Sequence, residues 1–258
     1  MKKFIGVLIV FVSFQSQAQK DSSYYHVNIP IEGAITAAGF VTTTILFKRL
    51  FRIASMSEND VLALDINDIN RFDRPVARFD PVGYDTSQKL SDLSMNLSTA
   101  LPFFLLIDKK VRQDWGEYLV LYLESQMINT SIYQAGAFSF RRPRPLTYNN
   151  EVDMEVRTGE QRSNSFFSGH VSTAATATFF MTKVYTDYHG ITGWNRIAFY
   201  GAASVPPLFV GYHRMHAGKH FRTDVLLGFV IGAVNGILIP HLHDSMRGKK
   251  KQKPRVEF

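Results

Sequence analysis

Tyr212-His213-Arg214-Met215-His216-Ala217-Gly218-Lys219-His220-Phe221-Arg222-Thr223-Asp224 leads without a break into Val225 to Pro240, sixteen residues free of charge. Three histidines, three cations and one carboxylate thus stand at the mouth of a hydrophobic helix. Unpaired N–H groups and the helix dipole make such a mouth suited to an anion.

Working outward, six apolar segments lie near residues 31–50, 90–107, 115–138, 170–187, 195–211 and 223–241. They lack the strict alternation of strands and exceed ordinary strand length, so they predict helices. The fold class is all-α: a six-helix bundle with its polar loops at one end, membrane-embedded or membrane-associated. Pro102 and the Pro206-Pro207 pair are predicted to kink the second and fifth segments. In the polar stretch 55–91, Ser57 is placed to cap a short helix carrying Val61 and Leu62. Its acidic residues Asp65, Asp68 and Asp73 lack the glycine and terminal Glu of a calcium loop, and read as a solvated capping region.

The uncharged runs are 15 or 16 residues long, as in Gly33 to Phe47 and Val225 to Pro240, against about 20 for a membrane span. They suit core helices as well as spans whose charged ends reach the interface. If the second segment runs inward, the turn Asp108-Lys109-Lys110-Val111-Arg112 and the basic C-terminus share the cytoplasmic side. A cleaved signal would start the chain outside, and a spanning first segment would then reverse every later orientation. The expectation is therefore that the first segment does not span or that the bundle is water-soluble.

The formal charge of +7 sits at the ends: Lys2 and Lys3 supply +2 and residues 247–258 supply +5, leaving 4–246 neutral. A neutral body argues against a nucleic-acid groove, which needs cations spread over one face. Residues 1–18 read as a secretory signal, with a basic start, an apolar stretch to Phe14 and small Ser16 and Ala18; a retained anchor is the alternative. Residues 19–246 then form the helical domain, and 247–258 a basic tail fit for an anionic membrane. With no cysteine, disulfides and thiolate chemistry are excluded.

Two further polar clusters interrupt the bundle. Phe140-Arg141-Arg142-Pro143-Arg144-Pro145 cannot continue a helix, and it presents rigid guanidinium forks suited to phosphate. Ser168-Gly169-His170 opens the fourth segment with a hydroxyl, unblocked N–H groups and a proton donor. In the opening stretch, His216, His220 and Asp224 have the spacing of a metal site. Gly218 weakens a helix there, and Arg214 and Lys219 oppose a divalent ion, so the reading is no metal and no cofactor. Pairing His220 with Asp224 is preferred, the carboxylate fixing the tautomer of a nucleophilic or basic imidazole. His213 and His216 are given no role.

Together the three clusters resemble the type 2 phosphatidic acid phosphatase superfamily, which also includes bacterial class A acid phosphatases and vanadium haloperoxidases. Its pattern is Lys-x6-Arg-Pro, then Pro-Ser-Gly-His, then Ser-Arg-x5-His-x3-Asp. Arg144-Pro145, Ser168-Gly169-His170 and Arg214-x5-His220-x3-Asp224 match in that order. Ala137 stands in place of the lysine, Phe167 of the proline and His213 of the serine.

The resemblance implies that His220 attacks phosphorus, Asp224 orients it and His170 protonates the leaving oxygen, without a metal. Arg144, Arg214, Ser168 and Gly169 would hold the phosphoryl oxygens, and Arg142 is expected to replace the missing lysine. The implied activity is hydrolysis of a phosphomonoester, a lipid phosphate, through a phosphohistidine on the periplasmic side of a bacterial membrane. The alternatives are a soluble periplasmic acid phosphatase, a non-catalytic phosphate-binding homologue and, less favoured, a vanadate-dependent haloperoxidase.

Overall fold

Runs rich in Ala, Thr, Gly, Leu and Phe fold as helices wherever the chain is long enough to bury one face against a neighbour. The computed structural model describes residues 23–251, with side chains through Asp244. The expected signal, 1–18, and residues 252–258 of the expected tail lie outside the described residues. The helices are α1 (Ile29–Ile53), α2 (Glu58–Leu62), α3 (Tyr84–Ala100), α4 (Lys109–Arg112), α5 (Trp115–Ser139), α6 (Met154–Arg157), α7 (Gly169–Tyr188), α8 (Gly193–Ala203), α9 (Val205–His216) and α10 (Arg222–Lys251). Helix accounts for 76% of the structure, and one isolated bridge, Met56 with Gly159, is the nearest approach to a sheet among the described residues. The all-α class therefore holds.

Two prolines set boundaries the sequence only partly anticipates. Pro102 ends α3 and the chain tightens into a 3-10 stretch, Leu101–Ile107. Pro206 and Pro207 start α9 rather than kinking a longer helix, because a proline ring is tolerated in a first turn. The predicted fifth segment is thus two helices, so six apolar segments yield seven helices of eleven or more residues. Ser57 caps α2 in a reciprocal box with Asp60, as its position predicts. The last helix runs well past the predicted end at 241, through Pro240 to Lys251.

α7 is the central helix, packed against α10, α3, α9 and α5. Its Val171, Ala174, Ala175, Ala177, Phe180 and Val184 are all buried, the signature of a helix covered all round. α10 packs closely on α7 because Gly228, Gly232 and Gly236 face the α7 backbone. A methyl group on Gly228 or Gly236 would stand 2.6 Å from the Ser168 or Thr176 carbonyl oxygen, and one on Gly232 would collide with that of Ser172. Asn235 ties the pair to α5, donating to the Ser125 carbonyl at 2.8 Å. Small residues at a helix interface let two backbones approach in this way.

The opposite face of α10 carries Leu226, Val230, Val234, Leu238 and Leu242, each 44–53% exposed. α1 likewise turns Ile31, Ile35 and Ile45 outward. α1, the stretch Pro81–Ile107 and the stretch Arg222–Asp244 are each long and apolar enough to cross a membrane. α1 has this length although its uncharged run is short, because Glu32, Lys48, Arg49 and Arg52 sit toward the helix ends.

Candidate active site

Four helix termini meet at one end of the bundle: the C-termini of α5 and α9 and the N-termini of α7 and α10. The connecting segments 140–168 and 217–221 are pinned there by backbone bonds. Ser165 N–H donates to Arg142 O at 3.0 Å, Leu146 N–H to Gly218 O at 3.0 Å, and Ser168 N–H to Asp224 O at 3.0 Å. Gly218 turns the chain out of α9 with φ +63°, and a side chain there would press on the Tyr84 ring at 2.8 Å. Only glycine meets both demands, and the turn delivers Lys219 and His220 into a cavity of about 360 Å³.

His220 is 2% exposed, and its Nδ1 lies 2.7 Å from the Ser165 carbonyl oxygen. A carbonyl only accepts, so Nδ1 carries the hydrogen and Nε2 keeps its lone pair. Burial, then Arg214 and Arg144, hold the ring well below the usual histidine range, so it is neutral. Among the described residues Asp224 does not bond to His220. Its Oδ2 accepts from Ser165 Oγ at 2.6 Å and Phe221 N–H at 2.8 Å. The orientation expected of the carboxylate is relayed through Ser165, whose hydroxyl holds Asp224 and whose carbonyl holds His220.

Arg144 and Arg214 are buried in the cavity wall with Lys219 beside them. Arg144 Nε donates to Asn164 at 3.1 Å, and Arg214 Nη1 lies 3.3 Å from Asp92. Burial pushes Lys219 down to about 7, Arg214 to about 9 and Arg144 to about 10, with added repulsion from Arg144 on the first two and from Arg162 on Arg144. Against these three cations, the lining offers one carboxylate, Asp92. The same wall carries His170, at the start of α7, whose Nε2 is 3.0 Å from Asp92. Burial, then Arg214, lowers His170 to about 4.

The cavity gathers residues from all three sequence clusters: Arg144, Gly169 with His170, and Lys219 with His220 and Arg214. Three of the predicted residues do not line it: Asp224, held by Ser165 and the Phe221 N–H, and then Ser168 and Arg142. Ser168 is buried behind the lining, its hydroxyl without a hydrogen-bond partner. Arg142 is clamped beneath the site, its Nη1 2.6 Å from Asp224, its Nη2 2.8 Å from Asp73, and its guanidinium over the Phe221 ring. Two carboxylates and an aromatic face consume its fork, so it does not reach the cavity; the cation that does is Lys219. Ala137, where the family pattern has lysine, is fully buried in α5. His216 stacks on Phe79 away from the cavity, so the His216, His220, Asp224 set does not assemble around an ion.

Asp92 and Asn164 were not singled out from the sequence. Asp92 has a signal, being the sole charged residue between Leu90 and Ile107; Asn164 has none.

A family model described as the PAP2 superfamily matches residues 114–246, which include every cavity cation but not Asp92. The lipid A 1-phosphatase of Porphyromonas gingivalis is 31% identical over 127 residues, covering 49% of this chain and 24% of that protein. The chain thus matches about a quarter of that relative's length. Among solved structures, a transmembrane PAP2-type phosphatidylglycerolphosphate phosphatase from Bacillus subtilis aligns with a TM-score of 0.48 at 18% identity, over 86% of this chain and 98% of that one. Aquifex aeolicus LpxE aligns with a TM-score of 0.42 at 22% identity, over 67% and 89% respectively.

Proposed function

The chain belongs to the PAP2 superfamily, and on that premise we propose that it hydrolyses a lipid phosphomonoester outside the cytoplasm through a phosphohistidine on His220. One observation carries the proposal: a neutral imidazole with its tautomer fixed shares a cavity with two buried arginines and a half-buried lysine. Such a site stabilises the charge of a phosphoryl group in transfer and leaves a lone pair to attack it.

In this mechanism His220 Nε2 attacks phosphorus, and the P–N bond forms as the P–O bond to the lipid alcohol breaks. Arg144, Arg214, Lys219 and the Gly169 N–H hold the equatorial oxygens. His170 gives its proton to the leaving oxygen; a bound phosphate offsets the Arg214 charge that lowers its pKa, so the proton enters with the substrate. Water then attacks the phosphohistidine and passes its proton to His170, the P–N bond breaks, and inorganic phosphate leaves. Asp92 positions His170, and Ser165 with Asp224 positions His220.

A lipid substrate is supported by the apolar side of the cavity, where Phe47 and Phe51 of α1 and Met95 of α3 belong to stretches long and apolar enough to cross a membrane. The extracytoplasmic side is supported by Lys109, Lys110 and Arg112, which lie at the opposite end of the bundle. The test is phosphate release from a detergent-solubilised panel that includes a lipid A 1-phosphate, a glycerophospholipid monophosphate and a water-soluble ester. The lipids are expected to turn over fastest, and His220→Ala to lower the rate at least about 10³-fold and abolish a trappable phosphoenzyme. A variant that kept full turnover would sink the mechanism, and a preference for the soluble ester would sink the lipid reading.

A further inference from the structure

At the other end of the bundle, Glu32 of α1, Glu124 of α5 and His243 of α10 point one ligand atom each at a common centre, all within 4.8 Å of one another. Along α10, His243 is about 28 Å from Asp224 at 1.5 Å per residue, and none of the three lines the cavity. The His243 side chain is 8% exposed, and its Nδ1 donates to the Ile239 carbonyl at 2.9 Å. With Nδ1 so engaged, Nε2 is the ring nitrogen left to face Glu32 Oε2 at 3.2 Å and Glu124 Oε2 at 3.5 Å.

Three lone-pair donors facing one another require a cation between them. A proton on Nε2 serves the nearer carboxylate and leaves Glu124 Oε2 as it stands in the structure, buried and without a hydrogen-bond partner. A metal ion serves all three. Tetrahedral ligands at about 2.0–2.2 Å from zinc stand roughly 3.3–3.6 Å apart, close to the two separations observed. The outer contacts are also those of a ligand set. The second nitrogen of the histidine is held by a backbone carbonyl, and the other oxygen of Glu32 accepts from the Asn28 N–H at 3.0 Å.

We propose that Glu32, Glu124 and His243 bind a zinc-class divalent ion that clasps α1 to α5 and α10. α1 is the outermost helix of this group, packing chiefly on α5, and its C-terminal Ala54 carbonyl accepts from Arg162 and Ser163 of the segment that shapes the active site. The ion holds the far end of that helix in register and takes no part in phosphoryl transfer.

The full chain, purified in detergent without a polyhistidine tag, is assayed for metal by elemental analysis, then stripped with chelator and titrated with zinc while thermal unfolding is followed. The expected result is about one zinc per chain and a Tm that rises by several degrees on zinc addition. Glu124→Gln and His243→Gln are expected to lose both effects, and zinc to leave the wild-type rate of phosphate release unchanged. Substoichiometric metal with a Tm indifferent to zinc would overturn the proposal and leave the triad as a proton-sharing ion cluster. Equal zinc binding by both variants would overturn it as well. Should a variant not fold, the metal content and zinc response of the wild-type protein decide the question.

Discussion

The residue on which the chemistry turns most finely is Lys219, because its pKa of about 7 lies inside the working range. Burial and the neighbouring Arg144 and Arg214 depress it, so it is charged below that value and neutral above it. Phosphate binding by the free enzyme needs the charge, so kcat/KM is expected to fall as pH rises above about 7. Lys219→Arg keeps its proton and should carry the plateau upward by at least about one pH unit, whereas Lys219→Ala should lose roughly 10²–10³-fold throughout. A Lys219→Arg profile that superimposes on the wild type would show that another group sets the limb. The sequence exposes Lys219 less clearly than its neighbours. Arg144, Arg214, His220 and Asp224 are marked by spacing within short stretches, and the chain brings those stretches together at one end. What spacing does not encode is which cation of a crowded pair faces inward. Arg142 and Lys219 are both near the motifs, and the choice falls to buried Asp73, which draws Arg142 beneath the site from 69 positions away in the chain. Asp92 reaches His170 across 78 positions, a contact no local pattern specifies.

At the scale of the helix, α10 divides its surface between two environments. Gly228, Gly232 and Gly236 bring it onto the α7 backbone, and that approach places Asp224, one turn before Gly228, against Ser168 and Ser165. The catalytic end is thus in register because the glycine stripe is. Gly232→Ala is expected to destabilise by about 2 kcal/mol, roughly 5 °C in Tm, since the new methyl group meets a main-chain carbonyl that cannot move alone. Val234→Ala, on the outward face and 53% exposed, should cost far less in detergent. Thermal unfolding of the two variants side by side checks this, and equal losses would refute the assignment of faces. The four-residue glycine spacing is visible in the sequence, as is the aliphatic row between. Their meaning is not, because a stripe of small residues in an apolar run fits a buried core helix as well as a lipid-facing one. The break at Ser204 was missed for a related reason: consecutive prolines read alike as a kink or as a helix start, and the packing of α8 and α9 against α7 decides.

For the whole molecule, the open question is orientation. The helices place the cavity at one end and, at the other, the start of α1, the Lys109–Arg112 turn, the end of α7 and the end of α10. Tyr24, just before α1, donates to Asp114 at that far end, and Tyr25 reaches Asp187. If α1 crosses the membrane, the chain enters it on the side opposite the cavity. An extracytoplasmic cavity then puts residues just before Asn28 in the cytoplasm, which is not where a cleaved signal would leave them. The two sequence readings therefore separate, and a chain with no cysteine allows a clean decision. Val82, 89% exposed, precedes α3 at the cavity end; Trp194, 84% exposed, begins α8 at the far end. In spheroplasts treated with a membrane-impermeant maleimide, Val82→Cys is expected to label before lysis and Trp194→Cys only after it. The reverse pattern would place the active site in the cytoplasm and restore the cleaved signal, and labelling of both before lysis would show that the bundle does not cross the membrane.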